Sequence, residues 1–329
     1  MLASMSARRP ARPLAACSLI VALLVSALGW FPATAGAQLF VVNGGTNTMG
    51  EYTTAGATIN ATLVSFSQFS IPFALASSGS DLFVTDLSNL TVSKYTTAGA
   101  VVNATLVSGV EDAEGIAASG SDIFVIDGVN NTIGEYTTSG AVVNAALVSG
   151  LNSPDGIAVL GSDIFVANYG DGSVSGGTIG EYTTSGATIN ATLVSGLDQP
   201  LGVAVLGSDL FVMSPDNGKI SEYTTSGAVV NATLVSGLND PQGIAVSGSD
   251  LFVTSAGDKI GEYTTSGAVV NATLVSGLSN PEGLVVVTAV PEPATGAVLA
   301  GLLALAAAAG VSACQRRKVG LAVSARNDG

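Results

Sequence analysis

A segment that recurs six times constrains the fold of this 329-residue chain more than any other feature. Its last copy reads GEYTTSGAVVNATLVSGL at 261–278, and five upstream copies differ from it by small changes. The tyrosines of these copies are 40 to 46 residues apart and are Tyr52, Tyr95, Tyr136, Tyr182, Tyr223 and Tyr263. A repeat of this length predicts an array or a ring of equivalent units, because one unit cannot bury its apolar surface alone.

Each repeat predicts four short β-strands. In the last repeat they read GIAVSG, DLFVTS, KIGEYTT and AVVNATLVS, which are rich in Val, Ile, Phe, Tyr and Thr. The intervening GSD and TSGA sequences are typical of tight turns. Four-stranded units of about 40 residues are typical of β-propeller blades. The sequence therefore predicts an all-β, six-bladed β-propeller over residues 38–289.

The two ends of the repeat region predict how this ring closes. The region begins at Leu39 in a strand of the second type and stops near Val287 in a strand of the first type. The last strand, 282–287, is therefore expected to complete the blade formed by 39–65, as a "Velcro" closure. A solenoid would need capping repeats with polar outer faces, and the sequence shows none.

One repeat resembles a known family of propeller repeats. The run DLFVTDLSNLTVSKY at 81–95 resembles the NHL repeat, in which a strand is followed by Asp, two residues, Asn and an apolar residue. Asp86 and Asn89 match those polar positions, as do Asp127 and Asn130, whereas later copies match less well. WD40 and kelch repeats use Trp, which these repeats lack. The resemblance implies a six-bladed propeller of the NHL or SMP-30/gluconolactonase-like type.

The residue types of the repeat region exclude several kinds of chemistry. The chain has no histidine, which removes Ser-His-Asp and Cys-His catalysis and histidine-ligated zinc. Its two cysteines, Cys17 and Cys314, lie outside the repeats, so the repeat region has no disulfide. Between residues 38 and 289 there are 22 acidic residues and three lysines, a net charge of −19. This charge excludes nucleic acid as a partner and suits divalent cations or neutral glycans.

The N-terminal segment, 1–37, is predicted to be a secretory signal peptide. Arg8, Arg9 and Arg12 precede an apolar run, and a small-residue cleavage site follows at Ala35 or Ala37. Three alternatives remain open at this stage: a lipoprotein signal at 14–17, a twin-arginine signal and an uncleaved membrane anchor. The expected export route is of the Sec type.

The C-terminal segment, 290–318, is predicted to be a sorting signal. Pro291, Glu292 and Pro293 precede an uncharged stretch, 296–314, which would span roughly 28 Å as a transmembrane helix. Arg316 and Arg317 follow it and predict a cytoplasmic tail, 319–329. The three-part pattern resembles the PEP-CTERM signal of Gram-negative bacteria, although the tail is longer than is usual in that family. The resemblance implies processing by an exosortase; a plain membrane anchor is the alternative.

Candidate site residues lie where the repeats differ from each other. The residues just before each first strand are Phe73, Glu114, Asp155, Leu201, Gln242 and Glu282. The residues that end each second strand are Asn43, Asp86, Asp127, Asn168, Ser214 and Ser255. Both sets are expected at the mouth of the central channel, where converging carboxylates would attract a cation.

The acidic and amide members of these sets predict a candidate metal site. Oxygen ligands of this kind suit Ca²⁺ or Mg²⁺, and the SMP-30 resemblance implies a divalent metal in the channel. The candidate ligands are Glu114, Asp127, Asp155, Asn168, Glu282, Asn43 and Asp86. The alternative is a set of solvated loops on an acidic protein. The sequon Asn-Ala-Thr, present in five repeats, is interpreted as structural rather than as a glycosylation site.

Three functions are consistent with these sequence features. The leading hypothesis is an exported binding or structural propeller, associated with the cell surface, envelope or extracellular matrix, whose partners are exopolysaccharide or surface proteins. The second is a metal-dependent lactonase or related hydrolase, and the third is a calcium-stabilised scaffold that binds glycans or proteins. The sequence predicts no catalytic residue and favours a binding role, because a fold alone does not confer activity.

Overall fold

The structure, a computed structural model, describes residues 36–288. These residues form 24 β-strands in six four-stranded antiparallel sheets. Apart from residues 36 and 37, the predicted signal peptide lies outside the described residues. The sorting signal (290–318), its membrane helix (296–314) and the tail (319–329) lie outside them entirely. No helix within 36–288 has the length and apolarity needed to cross a membrane.

Each sheet forms one blade, and the strands are numbered in chain order. Blade 1 contains β24, β1, β2 and β3, and blades 2 to 6 follow along the chain. The innermost strands are β24 (Pro281–Val287), β4 (Pro72–Ser78), β8 (Ile116–Ser119), β12 (Pro154–Leu160), β16 (Gly202–Leu206) and β20 (Pro241–Ser247). The second strands are β1 (Gln38–Asn43), β5 (Asp81–Asp86), β9 (Asp122–Asp127), β13 (Asp163–Asn168), β17 (Asp209–Ser214) and β21 (Asp250–Ser255).

The remaining two strands of each blade lie toward its outer edge. The third strands are β2 (Thr48–Thr53), β6 (Thr91–Thr96), β10 (Thr132–Thr137), β14 (Gly177–Thr183), β18 (Lys219–Thr224) and β22 (Lys259–Thr264). The outer strands are β3 (Thr58–Ser65), β7 (Val101–Ser108), β11 (Val142–Ser149), β15 (Thr188–Leu197), β19 (Val229–Ser236) and β23 (Val269–Ser276).

The six innermost strands form a closed ring. Each contacts the next in the order β24, β4, β8, β12, β16, β20, and β20 contacts β24 again. The ring closes within blade 1, where β24 pairs with β1 and places Val285 opposite Phe40. The predicted six-bladed propeller, with its last strand joined to the first blade, is thus confirmed.

The core lies between neighbouring blades. The second strands are buried along almost their whole length, because each faces a blade on both sides; this explains their continuous apolar sequences. Their six phenylalanines are among the most buried side chains. The repeated tyrosine packs against the preceding blade, as Tyr182 of blade 4 packs with Phe124 and Ile133 of blade 3. The tyrosines therefore pack between blades, as the repeats predict.

The TSGA turns fix the position of one blade against the next. In blade 4, Gly186 has φ of +87°, and the amide of Ala187 donates a hydrogen bond to Thr183 Oγ1 at 3.0 Å. A Cβ on Gly186 would lie 2.5 Å from the carbonyl oxygen of Leu147 in blade 3. Glycine is required at this turn both by its left-handed conformation and by the close approach of the neighbouring blade.

The Asn-Ala-Thr sequence has a structural role at the outer edge. Asn60 Oδ1 accepts a hydrogen bond from the amide of Thr62, and the same contact recurs in every blade. The pairing register shifts next to each of these asparagines, so the outer strand carries a bulge. Bulges protect exposed strand edges from pairing with other chains.

Blade 2 differs from the other blades by one charge. Lys94 replaces the glutamate that precedes the repeated tyrosine elsewhere; it forms an ion pair with Asp81 at 2.8 Å and donates to the carbonyl of Thr138 at 3.0 Å. In blade 3 the corresponding Glu135 has a raised pKa, caused first by burial and then by the negative charge of Asp122. Blades 3 to 6 therefore place like charges together where blade 2 pairs opposite ones.

We expect exchanges of this charge to alter stability in opposite directions. Lys94→Glu should lower the free energy of unfolding by about 1 kcal/mol, because it replaces a partly buried ion pair with repulsion. Glu135→Lys should raise the free energy of unfolding by between a few tenths of a kcal/mol and about 1 kcal/mol. Urea denaturation of both variants at neutral pH measures the effects. Equal shifts of the same sign would contradict this account of the two blades.

Candidate binding site at the central cavity

The innermost strands surround a cavity of about 100 Å³ on the propeller axis. Three consecutive residues from each blade line it, so the wall has three tiers. The rim tier consists of Phe73, Glu114, Asp155, Leu201, Gln242 and Glu282. The middle tier consists of Ala74, Gly115, Gly156, Gly202, Gly243 and Gly283, and the inner tier of Leu75, Ile116, Ile157, Val203, Ile244 and Leu284.

The middle tier contains glycine because neighbouring inner strands approach closely there. A Cβ on Gly115 would collide with the carbonyl oxygen of Asp155, and one on Gly156 with that of Leu201. A Cβ on Gly243 would lie 2.7 Å from the carbonyl oxygen of Glu282. These three glycines, and Gly283 in the same way, accommodate the backbone of the next blade, whereas Gly202 faces the side chains of Met213 and Ile244. The close approach keeps the ring narrow and brings the rim side chains together.

The rim tier combines three carboxylates with apolar and amide side chains. Glu114 and Asp155 belong to adjacent blades, 3 and 4, and Glu282 belongs to blade 1, on the opposite side of the ring from blade 4. All three side chains are partly buried. The structure thus places all six of these residues at the cavity, where the sequence predicts them. Four of them lie inside the innermost strands, as the second residue, and not before them as predicted: Phe73, Asp155, Gln242 and Glu282.

Glu114 has the electrostatic environment of a carboxyl group that titrates near neutrality. Burial, and then the negative charge of Asp112, raise its pKa to about 7. Its amide donates to the carbonyl of Asp112 at 2.8 Å, in a connection where Asp112 has φ of +54°. A Cβ on Gly128 would lie 2.9 Å from Glu114 Oε2, so the carboxylate packs against that glycine.

The other two carboxyl groups of the rim are also disfavoured in their charged forms. Burial, followed by the charges of Glu114, Asp112 and Glu282, raises the pKa of Asp155 well above its ordinary value. Burial also raises the pKa of Glu282; a hydrogen bond from Asn280 opposes this shift, and the charge of Asp240 adds to it. The rim is therefore less negative at neutral pH than its sequence indicates.

The acidic residues that end the second strands do not line the cavity. Burial alone would raise the pKa of Asp86, but hydrogen bonds from Ser70, from Asn89 and from the amides of Ile71 and Asn89 outweigh it and lower the pKa. Asp127 accepts two hydrogen bonds from the Asn130 side chain, at 2.9 and 3.0 Å, and one from its amide. Both carboxylates are therefore occupied in holding the turns that follow their strands.

The amide and hydroxyl residues at the same strand ends are likewise absent from the cavity wall. Asn43 Oδ1 accepts a hydrogen bond from the amide of Ser279 at 3.4 Å. Asn168 donates to Thr178 Oγ1 at 3.2 Å and accepts from the amide of Asn152 at 3.4 Å. Ser214 and Ser255 are buried. The two predicted sets of residues are therefore separate: one lines the cavity, and the other holds loops.

The rim and strand-end residues together do not form a ready-made divalent metal site. Within 36–288, no three acidic side chains come close enough to each other to act as a metal-ligand cluster. Four of the seven candidate ligands already accept hydrogen bonds from loop residues: Asn43, Asp86, Asp127 and Asn168. Binding of Ca²⁺ or Mg²⁺ by these seven residues stays a prediction.

Two features of the site escape sequence reasoning. Asp112 acts on both Glu114 and Asp155, and its only sequence signal is its place two residues before Glu114. The middle-tier glycines set the width of the cavity. Their recurrence after five of the six rim residues is the signal that could have indicated a close approach of strands.

The architecture is shared with proteins of known structure. Neither a protein-family model nor a curated protein sequence matches this chain. A chain in the crystal structure of a nidogen–laminin complex superimposes with a TM-score of 0.66 at 15% identity; the match covers 78% of this chain and 99% of that one. A gluconolactonase from Xanthomonas campestris superimposes with a TM-score of 0.53 at 18% identity, covering 63% of this chain and 77% of that one. These likenesses establish a shared fold.

Proposed function

We propose that this protein is an exported binding propeller that acts at the cell surface or in the extracellular matrix. The observation that carries the proposal is the contrast between the cavity tiers. The six rim residues include aromatic, aliphatic, amide and acidic types, whereas the next tier is glycine in five of six blades and the inner tier is aliphatic throughout. Blades that are otherwise nearly identical thus differ where a ligand would be recognised.

The size of the cavity favours binding at its mouth over enclosure of a small substrate. Small-molecule pockets usually measure roughly 300–1,000 Å³, whereas this cavity measures about 100 Å³. It would admit one protruding side chain or sugar group from a larger partner. A neutral exopolysaccharide or a surface protein meets this requirement without conflicting with the acidic charge of the propeller. The nidogen–laminin likeness adds that a propeller of this fold occurs in a complex between proteins.

Export and processing are part of the same proposal. The 1–37 segment would direct secretion, and an exosortase-type peptidase would remove the 290–318 segment. To test this, the full chain is produced in a Gram-negative bacterium that has an exosortase, and antibodies against the propeller are used on cell fractions and medium. The expected result is a shortened species outside the cytoplasm and an unprocessed one for Pro291→Ala/Pro293→Ala. A full-length cytoplasmic protein would overturn the proposal.

The binding role is tested with the exopolysaccharide of the same bacterium. The full chain should be retained on a column of that polysaccharide, and Phe73→Ala/Gln242→Ala should elute earlier because two rim contacts are lost. Thr138→Ala/Ser139→Ala, at a turn on the opposite face, is the matched control and should elute like the wild type. Equal retention of all three proteins would show that the rim is not part of the binding surface.

A lactonase or related hydrolase is the second candidate, and one observation favours it. A general base works best when its pKa lies near the working pH, and the pKa of Glu114 is raised to about 7. The gluconolactonase likeness is compatible with this role but shows only the fold. Hydrolysis of gluconolactone by the full chain, above the spontaneous rate and lost in Glu114→Gln, would support the hydrolase and displace the binding role. Membership of the NHL or SMP-30-like families stays a prediction.

A further inference from the structure

The repeated Asn-Ala-Thr sequence is only partly explained by its structural role. The carboxamide oxygen of each asparagine accepts a hydrogen bond from the amide two residues further on, at 3.0 to 3.1 Å. Blade 3 makes this contact with alanine in place of threonine, since Asn144 Oδ1 accepts from the amide of Ala146 at 3.1 Å. The contact therefore requires the asparagine, but it does not require the threonine side chain that the other five blades carry.

The asparagine and the threonine of these five sequences are exposed at the circumference of the propeller. They lie on the outer strands, each of which pairs with one neighbouring strand and is the last strand of its sheet. An enzyme can therefore reach them without any separation of the blades. The asparagines are Asn60, Asn103, Asn190, Asn231 and Asn271, and the threonines are Thr62, Thr105, Thr192, Thr233 and Thr273.

The local geometry suits the asparagine nitrogen to react as a nucleophile. Asn103 Oδ1 accepts from the amide of Thr105 at 3.0 Å, which closes a turn between the side chain and the backbone. This hydrogen bond draws electron density toward the oxygen and so makes the protons of Nδ2 more acidic. It also fixes the orientation of the carboxamide before any partner binds, which lowers the entropic cost of binding. Asn-X-Thr, in which X is not proline, is the acceptor sequence of N-linked glycosylation.

The surroundings of these sequences would benefit from a hydrophilic cover. The outer strand of blade 2 reads VVNATLVS and has no charged residue, although the repeat region as a whole is strongly acidic. Val101 and Val102, which directly precede Asn103, are 62% and 52% exposed. Charged side chains are a common protection of exposed strand edges against pairing with other chains. A bulky sugar on Asn103 would cover the two valines and protect this edge in place of charge, in addition to the bulge.

We propose that the asparagines of the five Asn-Ala-Thr sequences are acceptor sites for N-linked glycosylation in the folded propeller, and that Asn144 is not. Nδ2 attacks the anomeric carbon of a sugar whose leaving group is a diphosphate. The N–C bond forms, the C–O bond to the diphosphate breaks and its electron pair stays on the departing oxygen, while one proton of Nδ2 passes to a base of the transferase. The donor is a sugar diphosphate carried by a nucleoside or by a lipid. The sites lie at the outer edge, away from the cavity, and do not depend on the proposed function.

The test uses the purified full chain and both kinds of donor. One reaction contains a soluble N-glycosyltransferase and UDP-glucose. The other contains detergent-solubilised microsomal membranes with an oligosaccharyltransferase and its lipid-linked oligosaccharide. Cleavage after glutamate and lysine places each of the six asparagines on a separate peptide, so mass spectrometry measures the occupancy of each. We expect sugar on the five Asn-Ala-Thr asparagines and none on Asn144, and the reaction that proceeds identifies the donor.

Two substitutions exchange the outer-strand sequences of blades 2 and 3. Thr105→Ala changes VVNATLVS into the VVNAALVS of blade 3, and Ala146→Thr makes the reverse change. Thr105→Ala should lose the sugar at Asn103 and retain it at the other four sites, whereas Ala146→Thr should gain a sugar at Asn144. Both sequences already occur in this fold, so neither variant should unfold, and circular dichroism verifies this.

Three results would overturn these sites. The first is the absence of sugar from the folded chain in both reactions, with modification of a synthetic peptide of residues 99–109 verifying that the transferases are active. The second is equal occupancy of Asn144 and Asn103 in the wild type, because the threonine would then have no part in recognition. The third is the absence of any gain at Asn144 in Ala146→Thr.

Discussion

Gly156→Ala is expected to destabilise the propeller by at least about 3 kcal/mol, the upper part of the range for overpacking a closed core. The added Cβ would collide with the carbonyl oxygen of Leu201 and lie 3.1 Å from Gly202 Cα. These are backbone atoms of the next inner strand, so no side-chain rotation relieves the contact. The ring would have to widen, which disturbs the packing of the other blades.

Gly257→Ala is the matched control for this effect. Gly257 does not have a positive φ, and a Cβ there would meet nothing nearer than 3.5 Å, in the flexible side chain of Lys259. We expect Gly257→Ala to change the free energy of unfolding of the protein by less than about 0.5 kcal/mol. Urea denaturation of the two variants and the wild type gives the comparison. If Gly156→Ala were as stable as Gly257→Ala, the inner strands would not be held at the close separation that defines the cavity.

Blade 2 shows how one methyl group is accommodated at this tier. Ala74 occupies the place of the glycines. The register of its strand shifts between Pro72 and Leu75, as it does between Pro154 and Gly156 in blade 4, but Ala74 has no ladder partner, whereas Gly156 pairs with Ala167. The Ala74 amide donates instead to Thr85 Oγ1 at 2.9 Å. The ring therefore accommodates a side chain where the residue itself leaves the ladder, which a single substitution at Gly156 does not provide.

The fold was predictable from the sequence because the same physical demand is repeated six times. The YTT sequence places a tyrosine between blades in every copy. The turn that follows it, TSGA or TAGA, places a left-handed glycine against the preceding blade in every copy. One segment can match a strand pattern by chance, but six equivalent segments that all match it are strong support for the prediction. The closure of the ring was predictable because the repeat region begins with a strand of the second type, at Leu39, and ends with one of the first type, at Val287.

The sequence predicted the residues of the candidate site only where a residue's place along its strand is enough to bring it to the cavity. Glu114, Asp155 and Glu282 lie at or just before the starts of innermost strands, and the ring geometry brings such residues to the axis. Asp86 and Asp127 end second strands at the same face, but their carboxylates are held by Asn89 and Asn130. The spacing of Asp and Asn in those turns indicates a local hydrogen bond, and that bond competes with any shared ligand.

The second large effect concerns pH. The pKa of Glu114 is raised from 4.5 to about 7 in the folded protein, whereas in the unfolded chain it is close to its ordinary value. Below about pH 4.5 both states are protonated and the group has no effect on stability. Between about pH 4.5 and 7 the unfolded state loses its proton first, so stability falls as pH rises. Above about pH 7 the full cost is present; it is about 2 kcal/mol, because solvent screens the partly exposed carboxylate.

Glu114→Gln should remove this dependence, because glutamine is uncharged at every pH. The variant should be more stable than the wild type by about 2 kcal/mol at pH 8 and nearly equal to it at pH 4. Urea denaturation of the full chain at both pH values measures the difference. The loss of the Glu114 charge also favours ionisation of Asp155, whose pKa it helps to raise, and this adds to the gain at high pH.

Glu111→Gln removes the same charge from an exposed position three residues earlier and is the control for general electrostatics. It should change stability by less than about 0.5 kcal/mol at either pH. If Glu114→Gln raised the free energy of unfolding equally at pH 4 and pH 8, burial of the charged Glu114 carboxylate would not be the cause of the destabilisation. An advantage that appears only as pH rises would show that the rim retains an acid at a cost in stability, as binding sites commonly do.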